Sequence, residues 1–600
     1  MKRTLSILLL LSLLLCACGT GSTTQENTEP TVSTTQPTTV SPSELFTELT
    51  PPSEYIDITL NGSSATCSAK GVEISNSTVT ITSRGSYRLT GNLQGMVIVD
   101  ATSKDDITLL LSNALIDSAS SAALYVKQAN SLTLVLEGDN RLANGGSFTA
   151  IDESNIDAAL FAKDPLILGG EGSLTVQSPA GHGVVCKDDL SILGGSYTLQ
   201  AERHGFTSNN SISVADGSFA LTTGKDGFHA ENPNADGSDF IYLANGSFAI
   251  NATGDGISAG SYLQIDNGAY SLLTGGGSSN APAHAGQFGG AFPGGYSDTV
   301  DTGSAKGLKA KGNLIIANGV FSLDCADDAL HCDATVLLSG GEWDIASGDD
   351  AIHAGAQLRI DNGKVTVSKS YEGLEAQCID INGGEIDLTA SDDGMNAAGG
   401  NDGSGTGGFG GHDIFANDTS AYIKITGGIL RLNAGGDGID SNGSIFVSGG
   451  ETYLSGPTNS GNGSLDYGGE ATITGGIFVA AGSSGMAAGF GYNSTQCALL
   501  VSYNSQPAGS DVILTDSEGK ELFRWQTVKQ SASIVLSCPD MVQGQTYHLV
   551  VGEITGDITM TEIIYGYSNG MGGMGGPGGG PGGGGNPPPN GGRPNGGRPH

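Results

Sequence analysis

The sequence is poor in basic residues, with 25 lysines and arginines against 62 aspartates and glutamates and a formal net charge of −37 over 600 residues. Binding to nucleic acid phosphates needs clustered Lys and Arg, so this class of partner is excluded. The same charge would repel an acidic polysaccharide unless cations lay between the two. Only 38% of the residues are hydrophobic, which predicts a narrow core of the kind found in solenoids.

Long apolar runs are also missing after the first twenty residues, so no transmembrane helix is predicted. The one early run, residues 5–15, follows the basic Met1-Lys2-Arg3 and is too short to span a bilayer comfortably. It ends in Leu15-Cys16-Ala17-Cys18, which resembles a bacterial lipobox with Cys18 as the acylated residue. We therefore expect residues 1–18 to be a lipoprotein signal peptide and the protein to be lipid-anchored outside the cytoplasm. The alternative is an ordinary signal peptide with incidental cysteines.

Cysteine spacing shows no zinc pattern, and the seven cysteines after Cys18 cannot all pair within the chain. Most are therefore expected to be small core residues. Residues 19–54 are rich in Thr, Ser and Pro and predict a flexible linker. Residues 568–600 are rich in Gly and Pro and predict a disordered, solvated tail.

An internal repeat dominates the rest of the chain. A small residue in motifs such as Asp-Asp-Ala-Ile-His recurs mostly every 22 residues, with longer steps of 29, 51 and 44 that carry insertions or, in one case, span two coils. Its positions are Gly183, Gly205, Gly227, Gly256, Gly307, Ala329, Ala351, Gly373, Gly394 and Gly438.

Each repeat holds three short segments of alternating apolar and polar residues. In one coil these are 330–332, 336–338 and 343–345, and Gly-Gly or Asn-Gly turns separate the second from the third. Three strands in about 22 residues predict an all-β fold, a right-handed parallel β-helix over residues 55–496. Equivalent residues then stack at about 4.8 Å. Residues 497–567 leave the repeat and predict a β-rich cap over the open end of the solenoid.

The corner before the first segment of each coil is acidic. Two carboxylates about 4.8 Å apart repel by roughly 3.5 kcal/mol at an effective dielectric constant of 20, and Ca²⁺ is the cation best suited to relieve this because it takes six to eight oxygen ligands. A hydrated acidic turn is the alternative. The predicted metal ligands are Asp327, Asp328, Asp349, Asp350, Glu372, Asp392 and Asp393.

Four side chains beside this corner are expected to face outward on the first segment and to contact a ligand: His331, His353, Glu375 and Asn396. Three insertions also flank the corner, beginning after Glu231, at Gly275 and at Ala397. Insertions tolerated at any corner would be scattered among all three, so their clustering favours a binding site here.

Aromatic residues recur at one place in the third segment. Each lies two residues before an aliphatic residue, so we expect a stack inside the core rather than an external surface for cellulose. The stack is Tyr197, Phe219, Phe248, Tyr270, Phe321 and Trp343. Aromatics in the Gly-rich loops are better candidates for exposure, namely Phe288, Phe292, Tyr296, Phe409 and Phe415.

Signals for catalysis are weak. Gly181-His182-Gly183 matches a motif of polygalacturonases, but the Arg-x-Lys of that family is missing and the strongest Asp pairs follow the motif instead of preceding it. A calcium-dependent lyase needs a basic residue near the metal, and Lys306, Lys309 and Arg359 are the only ones well placed. We therefore predict no catalytic residues.

The coils with Asp-Asp-Ala-Ile-His-Ala at 349–354, the Gly-Gly turns, the lipoprotein start and the β-rich ending resemble the carbohydrate-binding β-helix surface proteins of clostridia and relatives. That resemblance covers residues 55–567 and implies a polysaccharide-lyase-like fold, bound calcium, and binding of cellulose or acidic sugars such as polygalacturonate without cleavage. Lys306 and Tyr371 stand where other coils carry acids. The predicted function is a monomeric, surface-anchored polysaccharide-binding protein with Ca²⁺. The alternatives are a polysaccharide lyase or hydrolase on the same fold and an adhesin for a protein partner.

Overall fold

The computed structural model describes residues 45–46, 48–50, 52–232, 234, 237–282, 303–397 and 420–566. The predicted signal peptide with Cys18, most of the linker, the Gly/Pro-rich tail and the five loop aromatics lie outside these residues. No helix in the described part is long and apolar enough to cross a membrane. A single 3-10 turn, Ser278–Asn280, interrupts the strands within that part.

The strands stack into three parallel ladders, which confirms the predicted β-helix. We call the ladder of the Asp-Asp-x-x-His motif strands the edge ladder. It comprises Thr78–Ile81, Met96–Asp100, Leu124–Gln128, Ala158–Ala162, His182–Cys186, Phe206–Ser208, Phe228–Ala230, Ile257–Ala259, Leu308–Ala310, Leu330–Cys332, the starts of Ile352–Ile360 and Leu374–Ile381, then Met395–Ala397, Ile439–Ser441 and Leu465–Tyr467.

The second ladder follows the edge ladder in each coil. It comprises Ser131–Glu137, Leu166–Gly170, Leu190–Ile192, Ile212–Val214, Ile241–Leu243, Leu263–Ile265, Leu314–Ile316, Thr335–Leu338, the ends of Ile352–Ile360 and Leu374–Ile381, then Tyr422–Ile425, Ser444–Val447 and Ala471–Ile473.

The third ladder precedes the acidic corner. It comprises Asp139–Asn144, Ser173–Ser178, Ser196–Ala201, Ser218–Thr223, Ser247–Ala252, Ala269–Thr274, Val320–Cys325, Glu342–Ser347, Lys364–Lys369, Glu385–Ala390, Ile429–Ala434, Glu451–Ser455 and Ile477–Gly482. In the first coils, one long strand contributes to two ladders. These long strands are Ile56–Gly62, Gly85–Leu93 and Asp106–Ser118.

The register of the edge ladder resolves the irregular steps of the repeat. Ile257 pairs with Leu308, and Met395 pairs with Ile439. Both long steps are therefore single coils with an insertion, and the 44-residue step does not contain two coils.

The aromatic stack lies inside the coils, as the alternation predicted. All six rings are at most 3% exposed, and neighbouring rings stack face to face from Tyr197–Phe219 at 5.2 Å to Phe321–Trp343 at 3.7 Å between centroids. Five cysteines are also buried, as expected for small core residues: Cys186, Cys325, Cys332, Cys497 and Cys538.

Each coil has two positions at which the backbone leaves room for a small residue only. Gly341 has a φ of 95°, a left-handed conformation that side chains disfavour, in the turn before Trp343. At the motif position, a Cβ on Gly227 would lie 2.6 Å from the carbonyl oxygen of Gly256 in the next coil. The small motif residue is therefore required by the close approach of successive edge strands.

Antiparallel pairing ends the parallel stack on both sides. At the start, Val72–Ser75 pairs with Thr78–Ile81, and Ile56–Gly62 pairs with Ala65–Thr66. At the end, Ser531–Ser537 pairs antiparallel with Ile477–Gly482 and with Ala498–Gln506, which in turn pairs with Ile564–Tyr565. A separate antiparallel sheet follows, made of Glu521–Gln526, Asp511–Asp516, Thr546–Val551 and Ile554–Thr559.

Candidate functional site

Two columns of side chains run along the edge ladder. The corner column consists of the residues that directly precede the small motif residues. The backbone carbonyl of a corner residue accepts a hydrogen bond from the N–H of the motif residue in the preceding coil. The strand column lies three residues later, in register across the edge strands. The corner column reads His182, His204, Asp226, Asp255, Lys306, Asp328, Asp350, Glu372, Asp393 and Asp437. The strand column reads Val185, Thr207, His229, Ser258, Lys309, His331, His353, Glu375, Asn396, Asp440 and Asp466.

We call the coils that contain Asp255, Lys306 and Asp328 the middle coils. Lysine side chains neutralise their aspartates. Lys309 Nζ lies 3.0 Å from Asp255 Oδ2 and 2.9 Å from the hydroxyl of Ser304, which donates to Asp255 Oδ1 at 2.6 Å. Lys306 Nζ lies 2.8 Å from Asp327 Oδ1 and 2.6 Å from Asp328 Oδ2. These carboxylates therefore have their counter-charges within the chain.

Asp328 is the most buried of these acids, with no exposed side-chain surface. Besides Lys306, its Oδ2 lies 2.7 Å from His331 Nδ1, and its Oδ1 accepts the backbone N–H of Asp350. Burial alone would raise the pKa of Asp328, but Lys306 and His331 hold that pKa well below its usual range. Asp328 is thus an ionised, fully partnered carboxylate.

One coil further, a histidine is held between two acids. His353 Nδ1 lies 2.7 Å from Glu375 Oε2 and 3.2 Å from Asp350 Oδ2. All three side chains are at most 6% exposed. Burial lowers the pKa of His353, but the two carboxylates raise it to about 11, so the ring is an imidazolium at neutral pH. His353 and Glu375 therefore contact the acidic corner and not solvent, although both were expected to face outward. The same expectation is wrong for Asn396, which is buried, whereas His331 is partly exposed.

The later coils contain acids without basic partners. Asp393, Asp437 and Asp440 bring carboxylate oxygens within 4.8 Å of one another, and within the described residues no Lys, Arg or His nitrogen forms an ion pair with them. Burial and the neighbouring Asp437 and Asp466 raise the pKa of Asp440 to about 8. Burial raises the pKa of Asp437 to about 6 and that of Glu372, which also faces Asp350, to about 8. We call Asp393, Asp437 and Asp440 the later acid cluster.

At the opposite end, two histidines converge on one aspartate. His229 Nδ1 lies 2.7 Å and His204 Nδ1 3.3 Å from Asp226 Oδ2. The two rings stack at 4.3 Å, and His182 stacks on His204 at 5.1 Å. We call His204, Asp226 and His229 the early histidine cluster.

The predicted metal ligands are distributed over distinct environments. Asp327, Asp328 and Asp349 come together within 4.8 Å, with Lys306 on two of them. Asp350 joins His353, Glu372 accepts a 2.8 Å hydrogen bond from Asn396, and Asp393 Oδ1 accepts the backbone N–H of Asp437. Asp392 hydrogen-bonds with Tyr371, the residue that breaks the outer acidic ladder. Each of these residues stays a predicted ligand.

Sequence reasoning missed Asp440, Asp466 and the two histidines of the early histidine cluster. Asp440 and Asp466 continue the strand column that was followed only from His331 to Asn396. The signal was available, because Asp440 lies two residues after the motif residue Gly438, the same offset as Asn396 from Gly394. His204 was missed because only acidic residues were traced through the corner column, and His229 was missed because the strand column was followed only from His331.

A groove with a single acidic side chain runs along the outer face of the third ladder. It has a volume of about 660 Å³ and is lined by outward small, hydroxyl and amide side chains of six successive strands, with Leu273 as an exposed apolar residue and Asp324 as its one acid. The outward residues include Thr175, Gln177, Thr198, Gln200, Ala220, Thr222, Ala249, Asn251, Ser271 and Ser322. In a chain of net charge −37, such a face suits hydrogen bonding to a neutral ligand.

The molecule is thus a parallel β-helix with a polar groove and an edge of stacked ionisable residues. Residues 75–351 match a family model described as carbohydrate-binding domain-containing protein. A carbohydrate-binding domain-containing protein of Acetivibrio thermocellus is 27% identical over 136 residues, which cover 22% of this chain and 48% of the relative. The chain therefore spans about half the length of that curated relative.

Among solved structures, the polysaccharide lyase-like protein from C. thermocellum, in a gadolinium derivative, aligns with a TM-score of 0.38 and 24% identity. The alignment covers 44% of this chain and 97% of that chain. The matching model and the relative carry the description that the sequence motifs resembled, so the resemblance is confirmed for residues 75–351.

Proposed function

We propose that this protein is a non-catalytic polysaccharide receptor, anchored outside the bacterial cell through Cys18, that holds Ca²⁺ on the later coils of its edge ladder. The polysaccharides we propose are cellulose and polygalacturonate. The observation that carries the calcium proposal is the later acid cluster, three carboxylates within 4.8 Å of one another with no basic partner in the described part of the chain.

Electrostatics favours a bound cation at this cluster. Two carboxylates at a separation near 4.8 Å repel by roughly 3.5 kcal/mol at an effective dielectric constant of 20, and Asp393, Asp437 and Asp440 contain three such pairs. The chain resolves the same problem in the middle coils with Lys306 and Lys309. Where no lysine is supplied, a divalent cation with a preference for carboxylate and carbonyl oxygens is the matching counter-charge.

Calcium would also solve the repulsion between an acidic protein and an acidic sugar. Ca²⁺ takes six to eight oxygen ligands, and three carboxylates that each give one oxygen fill only three of these positions. Its remaining positions are open to water or to a uronate carboxylate. A cation held by Asp437 and Asp440 would therefore bridge the edge to polygalacturonate.

Neutral glycan chains need a different surface, and the groove on the third ladder supplies it. Its hydroxyl and amide side chains, such as Thr198 and Gln200, repeat in register from coil to coil. A polysaccharide repeats its hydroxyl groups in the same way, so one chain laid along the β-helix would meet equivalent partners in each coil. We propose this groove as the contact surface for cellulose.

Retention of the purified protein on insoluble cellulose and on immobilised polygalacturonate tests the proposal, with Ca²⁺ or with EDTA in the buffer. We expect polygalacturonate retention to need Ca²⁺ and to be lost in Asp437→Asn/Asp440→Asn, and cellulose retention to survive EDTA. A matched control, Glu553→Gln/Asp557→Asn, removes two charges from the terminal sheet, where Asp557 is 74% exposed, and should bind like the unmodified protein.

The same experiment addresses the other functions. Soluble oligosaccharides in the flow-through would show that the polysaccharide is cleaved. That result would replace the assignment as a receptor by one as a lyase or hydrolase. Failure to retain the protein on either polysaccharide would favour an adhesin for a protein partner. Calcium-dependent retention that survives Asp437→Asn/Asp440→Asn would contradict the assignment of calcium to the later acid cluster.

A further inference from the structure

We infer that the early histidine cluster is a binding site for a transition-metal ion of the zinc class, separate from the proposed calcium site. The donor set is two imidazole nitrogens and one carboxylate, from His204, His229 and Asp226. Zinc and related divalent ions favour such mixed nitrogen and oxygen sites, whereas Ca²⁺ favours oxygen alone.

The β-helix itself builds the site. His204 and Asp226 are neighbours in the corner column, and His229 follows Asp226 by three residues on the edge strand Phe228–Ala230. Asp226 is only 8% exposed, and the two imidazole side chains are 13% and 21% exposed. The donors are thus pre-positioned by backbone register, with one face still accessible to an ion.

The position of His204 Nδ1 allows it to share an ion with Asp226. In the metal-free protein this nitrogen accepts the backbone N–H of Asp226 at 3.2 Å, and it lies 3.3 Å from Asp226 Oδ2, which is also an acceptor. The single in-plane lone pair of Nδ1 would exchange that N–H for the ion, and a nitrogen-to-oxygen distance of 3.3 Å suits a metal ion bound to both atoms.

The second imidazole is oriented as metal-bound histidines usually are. His229 Nε2 lies 3.4 Å from Glu231 Oε2, and a carboxylate on the far nitrogen commonly fixes the ring of a metal ligand. Its Nδ1 then faces Asp226 Oδ2 at 2.7 Å, where a proton is shared without metal. A metal ion would displace that proton, so binding should release about one proton per ion.

A third imidazole stands one coil away. His182 stacks on His204, and its Nδ1 is buried without a hydrogen-bond partner within the described residues. A buried ring nitrogen left unpaired is costly, so this nitrogen is a third potential donor beside the cluster.

The other histidines of the edge do not offer the same chemistry. His331 faces Asp328, where Lys306 already supplies a positive charge. His353 is an imidazolium clamped by Asp350 and Glu375. Each of these groups contains one imidazole, whereas the early histidine cluster contains two.

Titration of the full chain with ZnCl₂ by isothermal calorimetry tests the inference, with Ca²⁺ present in excess to occupy oxygen-only sites. We expect one tight site, a release of about one proton per ion measured by comparing buffers, and at least tenfold weaker binding in His204→Ala/His229→Ala. His331→Ala serves as the control and should leave the zinc isotherm unchanged. Co²⁺ in place of Zn²⁺ should give a visible absorption band that the double variant loses.

Equal zinc affinity in the double variant and the unmodified protein would overturn the inference, as would absence of tight binding in the unmodified protein. Circular dichroism shows whether the double variant folds. If it does not, His204→Gln/His229→Gln keeps polar side chains of similar size, and unchanged zinc binding in that variant would overturn the inference equally. Calcium-dependent retention on polygalacturonate is measured separately, so either site can fail without the other.

Discussion

The middle and later coils of the edge ladder have the same backbone and the same columns, but they differ in how the charge of their acids is balanced. In the middle coils, Lys306 and Lys309 lie 2.6 to 3.0 Å from the carboxylates of Asp255, Asp327 and Asp328. In the later coils, Asp393, Asp437 and Asp440 have no basic partner in the described part of the chain. A parallel β-helix therefore fixes where charges stack, while the choice of counter-charge is made coil by coil.

An acidic solenoid can therefore contain carboxylates with two different roles. A carboxylate that is paired with a lysine of the same chain keeps its counter-charge whether or not a cation is present in solution. A carboxylate cluster without one is stable only when protonated or when a cation binds. The following predictions test this difference, from the largest expected effect to the smallest.

Removing the internal counter-charge should have the largest effect. Lys306→Ala leaves Asp328, which has no exposed side-chain surface, without its lysine, and breaking a buried ion pair costs about 3–5 kcal/mol. We expect a loss of this size in the free energy of unfolding by urea denaturation, with part of it recovered by added Ca²⁺. A loss below about 1 kcal/mol would contradict the assigned role of Lys306.

Calcium-free protein should lose stability as pH rises through the neutral range. A carboxyl with a folded pKa raised to about 8, as for Glu372 and Asp440, stabilises the fold fully below its unfolded pKa of about 4 and loses this contribution as pH rises through the folded pKa. His182, with its pKa of about 3, acts in the opposite direction only up to its unfolded value near 6.5.

The clean window for this measurement is therefore pH 6.5 to 8.5, with a slope of up to about 1.4 kcal/mol per pH unit for each proton lost. His353, with its pKa raised to about 11, adds to the slope in the same direction. Thermal melts in EDTA should show the decline, and melts in excess Ca²⁺ should show a flatter profile. A constant or rising melting temperature in EDTA over this window would contradict it.

Neutralising one bare carboxylate should stabilise the calcium-free protein. Asp440→Asn keeps the shape of the side chain and removes its repulsion with Asp437, so we expect about 1–3 kcal/mol of added stability in EDTA. The same variant should lose most of the stabilisation by Ca²⁺. Asp557→Asn in the terminal sheet is the control and should change neither quantity. A destabilised Asp440→Asn in EDTA would show that this acid has a partner of its own.

An exposed lysine should matter least. Lys311 lies 3.0 Å from Glu231, but both side chains are more than half exposed. Exposed ion pairs contribute about 0–1 kcal/mol, so Lys311→Ala should change the free energy of unfolding by less than about 0.5 kcal/mol. A loss comparable with that of Lys306→Ala would mean that burial does not set the difference between the two lysines.

The repeat made the fold predictable from sequence, because alternation and a 22-residue spacing fix strands, turns and register together. The inward stack from Tyr197 to Trp343 followed from alternation alone. The two longest steps could not be resolved in this way, since an insertion and an additional coil have similar lengths. The pairing of Ile257 with Leu308 decides between them for the first of these steps, and the pairing of Met395 with Ile439 for the second.

The site was less predictable because partners come from neighbouring coils. Sequence spacing places Asp328 and Asp350 in one column, but it does not show that Lys306 reaches across to Asp327 and Asp328 or that Glu375 clamps His353. Long side chains choose among several stacked neighbours, and that choice depends on rotamers. Whether each predicted ligand binds calcium stays a prediction.

Thermal unfolding with and without Ca²⁺ tests the central claim most directly, when the unmodified protein is compared with Asp437→Asn/Asp440→Asn. We predict that Ca²⁺ raises the melting temperature of the unmodified protein and leaves that of the double variant nearly unchanged. The double variant in EDTA should melt at or above the temperature of the calcium-free unmodified protein. An equal calcium-induced rise in both proteins would contradict the claim that the later acid cluster holds the cation.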